Sequence, residues 1–333
     1  MDAAHDWTDK EILNIQRYLN RFYSRARKNI DKVWDPFVTS VKKRSEEIME
    51  EYENAEDQKQ KQAAKQKYIA YFRSVMASSA FLALQKKTSR IMYEANAQSA
   101  AYINSRSPAV YARNYNDIGA SLAKDLKGYS FKKITEKEAS EFSGIERQKV
   151  DEKKDRAWNE KSIRRAILTG SLLVLSGDKL FGRAFDNLVG KNRDSAHRQA
   201  SDMMTGAESS GRLDSMYRAY DEGFSVKKYW IATLDNRTRD THIEYDSMDS
   251  VDLDYEYNYG LKIPKDKNCS IMEEVCNCRC RILYDTGRGK SSTRTAREGE
   301  VTGSYKNPSS FDDTKTINVS QMTYKEWIKW RSR

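Results

Sequence analysis

Proline occurs only 4 times and glycine only 15 times in the 333 residues of this chain. Both residues interrupt helices, proline by removing an N–H and glycine through its backbone entropy. So few breakers constrain the chain toward long helices. Ile12, Ile15, Leu19, Phe22, Ala26, Ile30 and Val33 follow one another at steps of three or four, which is the period of a helix face that packs against a partner. Thr8-Asp9-Lys10-Glu11 has the form of a capping box, so this helix is expected to open there, and Pro36 to end or bend it.

Residues 42–73 are almost all charge, amide and alanine, with Lys42 and Glu46, and Lys43 and Glu47, spaced to pair on a helix surface. This reads either as an arm that reaches a partner or as a solvated outer helix. Tyr68, Tyr71, Phe72, Val75 and Met76 restore an apolar face, and Pro108 with residues 114–116 is expected to form a loop. A second capping box, Thr135 to Glu138, predicts a charged helix to about Trp158. Residues 163–175, 180–189, 196–204 and 212–222 then read as shorter helices, punctuated by Gly170, Gly177, Gly190 and Gly206. After Gly223 the pattern turns strand-like at 226–234 and 279–284. Between them lies an acidic, tyrosine-rich loop, 244–259. Residues 285–316 read as a linker, and Thr323-x-x-Glu326, with Met322 stapling onto Trp327, predicts a last short helix.

The expected architecture is therefore α+β. A long-helical N-terminal region (1–160) precedes a small mixed domain with a short antiparallel sheet (161–285), and a linker and short helix (286–333) close the chain. With 38% hydrophobic and 32% charged residues, the core should be modest. The net charge of +10 favours polyanionic partners, although a lysine excess on a helical protein has no such meaning by itself. The longest apolar run, near Leu172 to Leu175, is far short of the roughly 20 residues that span a bilayer. No membrane partner is expected. With no secretory signal in Met1 to Trp7, the expected location is the cytoplasm or particles assembled there.

All four cysteines fall between Cys269 and Cys280. In a reducing compartment such clustering suggests a metal site more than a disulfide framework. On a strand, Cys276, Cys278 and Cys280 would share one face. His242, on the turn after the strand that holds Trp230, could meet them tetrahedrally as zinc prefers, with Cys269 as a further ligand. The alternative is a set of reduced thiols packed in or beside the core. Asp235, Arg237 and Arg239 suit a structural role, with Asp235 accepting hydrogen bonds in a turn and an arginine pairing with it. No nucleophile–base pair stands out, so no catalytic residue is assigned. His197 is expected at the surface.

The run from Tyr229 to His242, followed by Cys276-Asn277-Cys278-Arg279-Cys280, resembles the C-terminal domain of the phage Mu F-like minor head proteins. Their pattern is a Trp-led strand, then Asp-x-Arg-x-Arg/Cys-x-x-His, then a terminal Asn-Cys-Arg-Cys. Trp230, Asp235, Arg237, Arg239 and His242 match the first part, and Asn277, Cys278, Arg279 and Cys280 the second. Looser likeness extends to Thr205-x-x-Glu208 and to Thr323–Trp327. The resemblance implies a non-enzymatic component of a phage head that contacts the portal, capsid and scaffold proteins. It also implies action in procapsid assembly and in DNA packaging or delivery, with non-specific contact to packaged DNA. Some members carry a toxin domain after this region; here about 48 residues follow Asp285, fewer than an independent catalytic domain needs. A zinc-dependent DNA-binding module is a third reading, although nothing in the spacing matches a groove-reading finger.

Overall fold

The computed structural model describes residues 3–141, 147–175, 177–235, 237–290, 293–297 and 316–331. The fold is α+β. Its helices are α1 (Ala3–Glu53), α2 (Gln58–Ala77), α3 (Ser79–Asp125), α4 (Glu136–Glu141), α5 (Glu152–Leu172) and α6 (Gly177–Asp221). A small mixed region follows: β1 (Lys227–Ile231), α7 (Asp240–Ser247), β2 (Val251–Asp252), α8 (Met272–Val275), β3 (Arg281–Asp285), β4 (Thr293–Arg297), β5 (Thr316–Ser320) and α9 (Tyr324–Arg331). No helix among the described residues is long and apolar enough to cross a membrane.

The helices are longer than their punctuation suggests. Thr8 does not cap α1 but lies within it, its Oγ1 donating to the Ala4 carbonyl at 3.0 Å. Pro36 lies within α1 and Pro108 within α3. Burial on both sides holds each helix through its proline: Ile30, Trp34 and Val41 around the first, Ile103, Val110 and Tyr111 around the second. The expected loop at 114–116 is helical too. The segments from 180 to 222 are one continuous helix, α6. Gly211 serves contact rather than termination, since a Cβ there would stand 2.5 Å from the Tyr111 carbonyl oxygen. The capping box at Thr135 does form, with Glu138 N donating to Thr135 Oγ1 at 3.2 Å and Thr135 N to Glu138 Oε2 at 2.6 Å. Of its helix, Glu136–Glu141 is described. The next helix, α5, has its own N-cap, Asp151, which accepts from Lys154 N.

The chain divides into two compact units, each discontinuous in sequence. Residue 160, where composition shifts, lies inside α5, because apolar content follows exposure and not chain topology.

The helical unit comprises Gln16–Tyr102 and Gln148–His197. Trp34 is fully buried, with the rings of Phe81, Phe181 and Phe185 at 5.3, 5.5 and 5.2 Å. Its indole N–H donates to Thr88 Oγ1 at 2.6 Å. A polar chain crosses four helices beside this core. Tyr23 donates to Asn96, Asn96 Nδ2 donates to Asp155 and Asn192, and Asn192 donates to Asn159, at 2.8 to 2.9 Å. Such a linked network fixes helix register as apolar contacts alone do not. Lys42 pairs with Glu46 at 3.7 Å, whereas Glu47 takes Arg44 at 2.7 Å. His197 is half-buried rather than at the surface, and burial lowers its pKa.

The sheet unit comprises Met1–Ile15, Ile103–Arg147 and Arg198–Arg333. Its three-stranded antiparallel sheet has the order β2-β1-β3, with Trp230 opposite Ile282 and Tyr229 opposite Leu283. Trp230, Tyr245, Tyr257, Leu261 and Ile282 belong to its core. Lys228, fully buried in β1, donates to the carbonyls of Leu253 at 2.6 Å and Tyr255 at 2.9 Å, and burial pulls its pKa down to about 8. Arg212, also fully buried, pairs with Glu208 at 3.0 Å and donates to Asn114 at 3.0 Å, while His5 meets Glu208 at 2.9 Å.

The expected linker is partly structured. Strands β4 and β5 pair antiparallel, with Arg294 opposite Val319, while residues 291–292 and 298–315 of that expectation lie outside the described residues. The third capping box forms at Thr323 and Glu326, and Trp327 is fully buried. Strand β4 went unread because Thr293-Arg294-Thr295-Ala296-Arg297 has no apolar alternation, and Arg294 is buried through charge pairing rather than apolarity.

Candidate metal centre

The geometry rests on β1 and β3. Their antiparallel pairing lays the tryptophan strand beside the strand that follows the cysteines, although some fifty residues separate them. His242 is carried on α7 rather than on a turn, so the expected loop from 244 begins as helix. The α7 helix packs against β1, setting the His242 ring 5.0 Å from the Trp230 ring, edge to face. His242 Nδ1 lies 3.6 Å from Cys278 Sγ and 3.4 Å from Cys280 Sγ. These three donors lie within 4.8 Å of one another, and all three residues are buried.

Cys276 and Cys269 are not part of this group. The run Cys276–Cys280 precedes β3 instead of lying in it. Cys276 is the C-cap of α8, and Asn277 takes a left-handed backbone with φ of 55°. The two-residue alternation of a strand therefore does not reach Cys276. Cys269 Sγ donates to the Ile271 carbonyl at 3.3 Å.

The other motif residues frame the group. Asp235 accepts from Arg237 N at 3.0 Å, closing the turn after β1, and forms a buried ion pair with Arg279. Arg237 itself is exposed. The Arg239 guanidinium donates to the Cys276 carbonyl, and Asn277 N donates to Asp202 on α6 at 3.0 Å. Lys265 also pairs with Asp202. Burial pushes both buried thiols up, and for Cys280 that effect prevails. For Cys278, the hydrogen bond from Cys280 and the nearby Lys265 and Arg239 charges outweigh burial, and the net direction is down.

Several residues of the site carry no sequence signal. Glu274 Oε2 stands 3.1 Å from His242 Nε2, close but out of line for a hydrogen bond, and accepts from Thr241 Oγ1 at 2.9 Å. Asp246, on α7, accepts from Ala232 N at 2.8 Å and Tyr324 N at 2.6 Å. It also pairs with Arg294 through both carboxylate oxygens, at 2.8 and 2.9 Å. A lone acid in an acidic stretch and an arginine in a polar one give no spacing to read.

A thiolate pair with an imidazole is a donor set that suits zinc. Tetrahedral zinc, with Zn–S near 2.3 Å and Zn–N near 2.05 Å, separates sulfur from nitrogen by roughly 3.5 Å. The observed 3.4 and 3.6 Å match that edge.

No known family profile and no solved structure matches the chain. Among curated proteins, the NAD(+)–arginine ADP-ribosyltransferase EFV of Enterococcus faecalis is 30% identical over 140 residues, covering 40% of this chain and 28% of that protein. Minor head protein GP7 of Bacillus phage SPP1 is 28% identical over 120 residues, covering 36% of this chain and 34% of that protein. The chain thus spans about a third or less of the relatives it matches. Over just over a third of its own length, it is similar to a phage head protein.

Proposed function

We propose that this chain is a minor head protein of a tailed phage, a non-enzymatic part of the virion that acts during head morphogenesis. In this reading it contacts the portal and the capsid or scaffold proteins in the host cytoplasm, and influences DNA packaging or delivery. The likeness to minor head protein GP7 carries the proposal. The motif residues Trp230, Asp235, Arg279 and Cys280, gathered around one small sheet, support it. The net charge of +10 suits a protein beside packaged DNA, held by phosphate contacts without sequence reading. The His–Cys–Cys group enters the same reading as a zinc site whose three protein donors tie α7 to the turn before β3, so that binding stabilises the fold.

The test is capture of the portal protein by the full chain, together with heads assembled without it. Capture, and heads altered in yield, composition or infectivity, are expected. Heads unchanged in all three respects would overturn the proposal.

The second reading is an enzyme, favoured by the 30% identity to an arginine ADP-ribosyltransferase. That likeness covers 28% of the enzyme's length. Incubation with NAD(+) and an arginine-containing acceptor decides between the two. Transfer that survives repurification would replace the non-enzymatic reading. Salt-sensitive DNA binding that vanishes on chelation would instead favour a zinc-dependent DNA-binding protein.

A further inference from the structure

Resting on the zinc reading above, we infer that Glu274 and Thr241 form the outer sphere of the metal site, and that His242, Cys278 and Cys280 are its only protein ligands among the described residues. Nδ1 of His242 is the nitrogen that faces the two sulfurs, so it is the ligand atom. The ring must then carry its proton on Nε2. Among the described residues Nε2 has no hydrogen-bond partner, and the Glu274 carboxylate stands 3.1 Å away. Metal-bound histidines characteristically direct their second N–H at a carboxylate, which fixes the ring and raises its basicity. Thr241, next to His242 on α7, donates to that carboxylate at 2.9 Å. The second sphere thereby links α7 to α8, while the ligands link α7 to the turn before β3.

Binding is balanced by proton release. Each of Cys278 and Cys280 enters as a thiolate and gives one proton to buffer, while His242 enters neutral and keeps its Nε2 proton. Three protein donors leave the fourth place on a tetrahedral ion to a water molecule. Cys276 does not take it, since Asn277's left-handed backbone turns the chain between Cys276 and Cys278.

The experiment uses the full chain, reduced and stripped with a chelator, then titrated with zinc against a chromophoric competitor. One ion per chain is expected. X-ray absorption should show two sulfurs near 2.3 Å, one imidazole nitrogen at about 2.0–2.1 Å and one light atom. Glu274→Gln, nearly isosteric, should keep one ion per chain but weaken affinity by about 10- to 100-fold. Thr241→Val should weaken it less, whereas Cys276→Ser and Cys269→Ser should leave it within about twofold, since neither thiol is a ligand. Wild-type affinity in both Glu274→Gln and Thr241→Val would overturn the outer-sphere role while the zinc reading stood. A third sulfur, lost in Cys276→Ser, would overturn the ligand set. A wild-type chain that takes up no zinc would overturn this inference and the zinc reading together. If Glu274→Gln does not fold, as judged by circular dichroism, Thr241→Val alone decides the outer-sphere role.

Discussion

The helical unit and the sheet unit solve the same problem with different materials. The first surrounds Trp34 with phenylalanines and adds a chain of amides that ends on the Asp155 carboxylate. The second has strands of two to five residues and buries charge: Arg212 with Glu208, Arg294 with Asp246, Asp235 with Arg279. Long helices bury a continuous apolar face, so dispersion and hydrophobic burial suffice. In the sheet unit, Arg294–Asp246 and Asp235–Arg279 tie the backbone around short strands, while Arg212–Glu208 lies within α6 and reaches Asn114 on α3. Buried charges are costly unless fully paired, so the sheet unit should be the more sensitive to loss of a single partner.

The strongest test compares one residue from each unit. Trp34→Ala should cost about 3–5 kcal/mol through the cavity it leaves. Asp246→Ala should cost a similar amount, about 3–5 kcal/mol, because Arg294 is left buried and unpaired. The two should differ in rescue. Adding Arg294→Met to Asp246→Ala should recover part of the loss in denaturant unfolding, as the stranded charge is removed. An Asp246→Ala cost below about 1 kcal/mol would erase the contrast between the units.

A smaller effect separates two glycines of the same helix. Gly211→Ala, in the sheet unit, places a methyl 2.5 Å from the Tyr111 carbonyl oxygen and should destabilise by about 1–3 kcal/mol. Gly182→Ala, in the helical unit, meets nothing within 4 Å and should stabilise by about 0.4–1 kcal/mol. Equal signs in thermal unfolding would show that α6 does not distinguish the two packings.

The smallest effect is in pH dependence. Burial works against protonated His5, but the Glu208 carboxylate at 2.9 Å prevails and its pKa is raised. The folded chain therefore holds a proton that the unfolded chain releases near pH 6.5. The stabilisation is complete below about pH 6.5 and is lost as pH rises through the higher folded value. His197 is the converse: burial lowers its pKa, so its contribution is complete above about pH 6.5 and is lost as pH falls through the depressed value. The stability difference between the wild type and His5→Gln should shrink as pH rises, and that for His197→Gln should shrink as pH falls. The same trend in both would refute the assigned directions.

Two of the three capping boxes, the long amphipathic helices and the two strands around the motif were legible, because each is set by neighbours three or four residues apart or by local alternation. Trp230, His242, Cys278 and Cys280 could be named for the same reason: they belong to short runs of unusual composition. The ends of the helices could not. Pro36, Pro108 and the glycines of α6 are breakers only in isolation, and packing on both sides overrides them.

What the residues settled alone was therefore period and type: helix face, strand, candidate ligand. What only the fold decided was partnership. Local periodicity carries no information about which distant group stands opposite a side chain. Thr8 gave up its cap to receive a hydrogen bond from Asn114, Glu274 came to face His242, and Arg294 came to face Asp246. Cys276 and Cys269 lie outside the ligand group although they fall within the same twelve residues: a left-handed turn at Asn277 separates Cys276 from Cys278, and Cys269 donates instead to the Ile271 carbonyl.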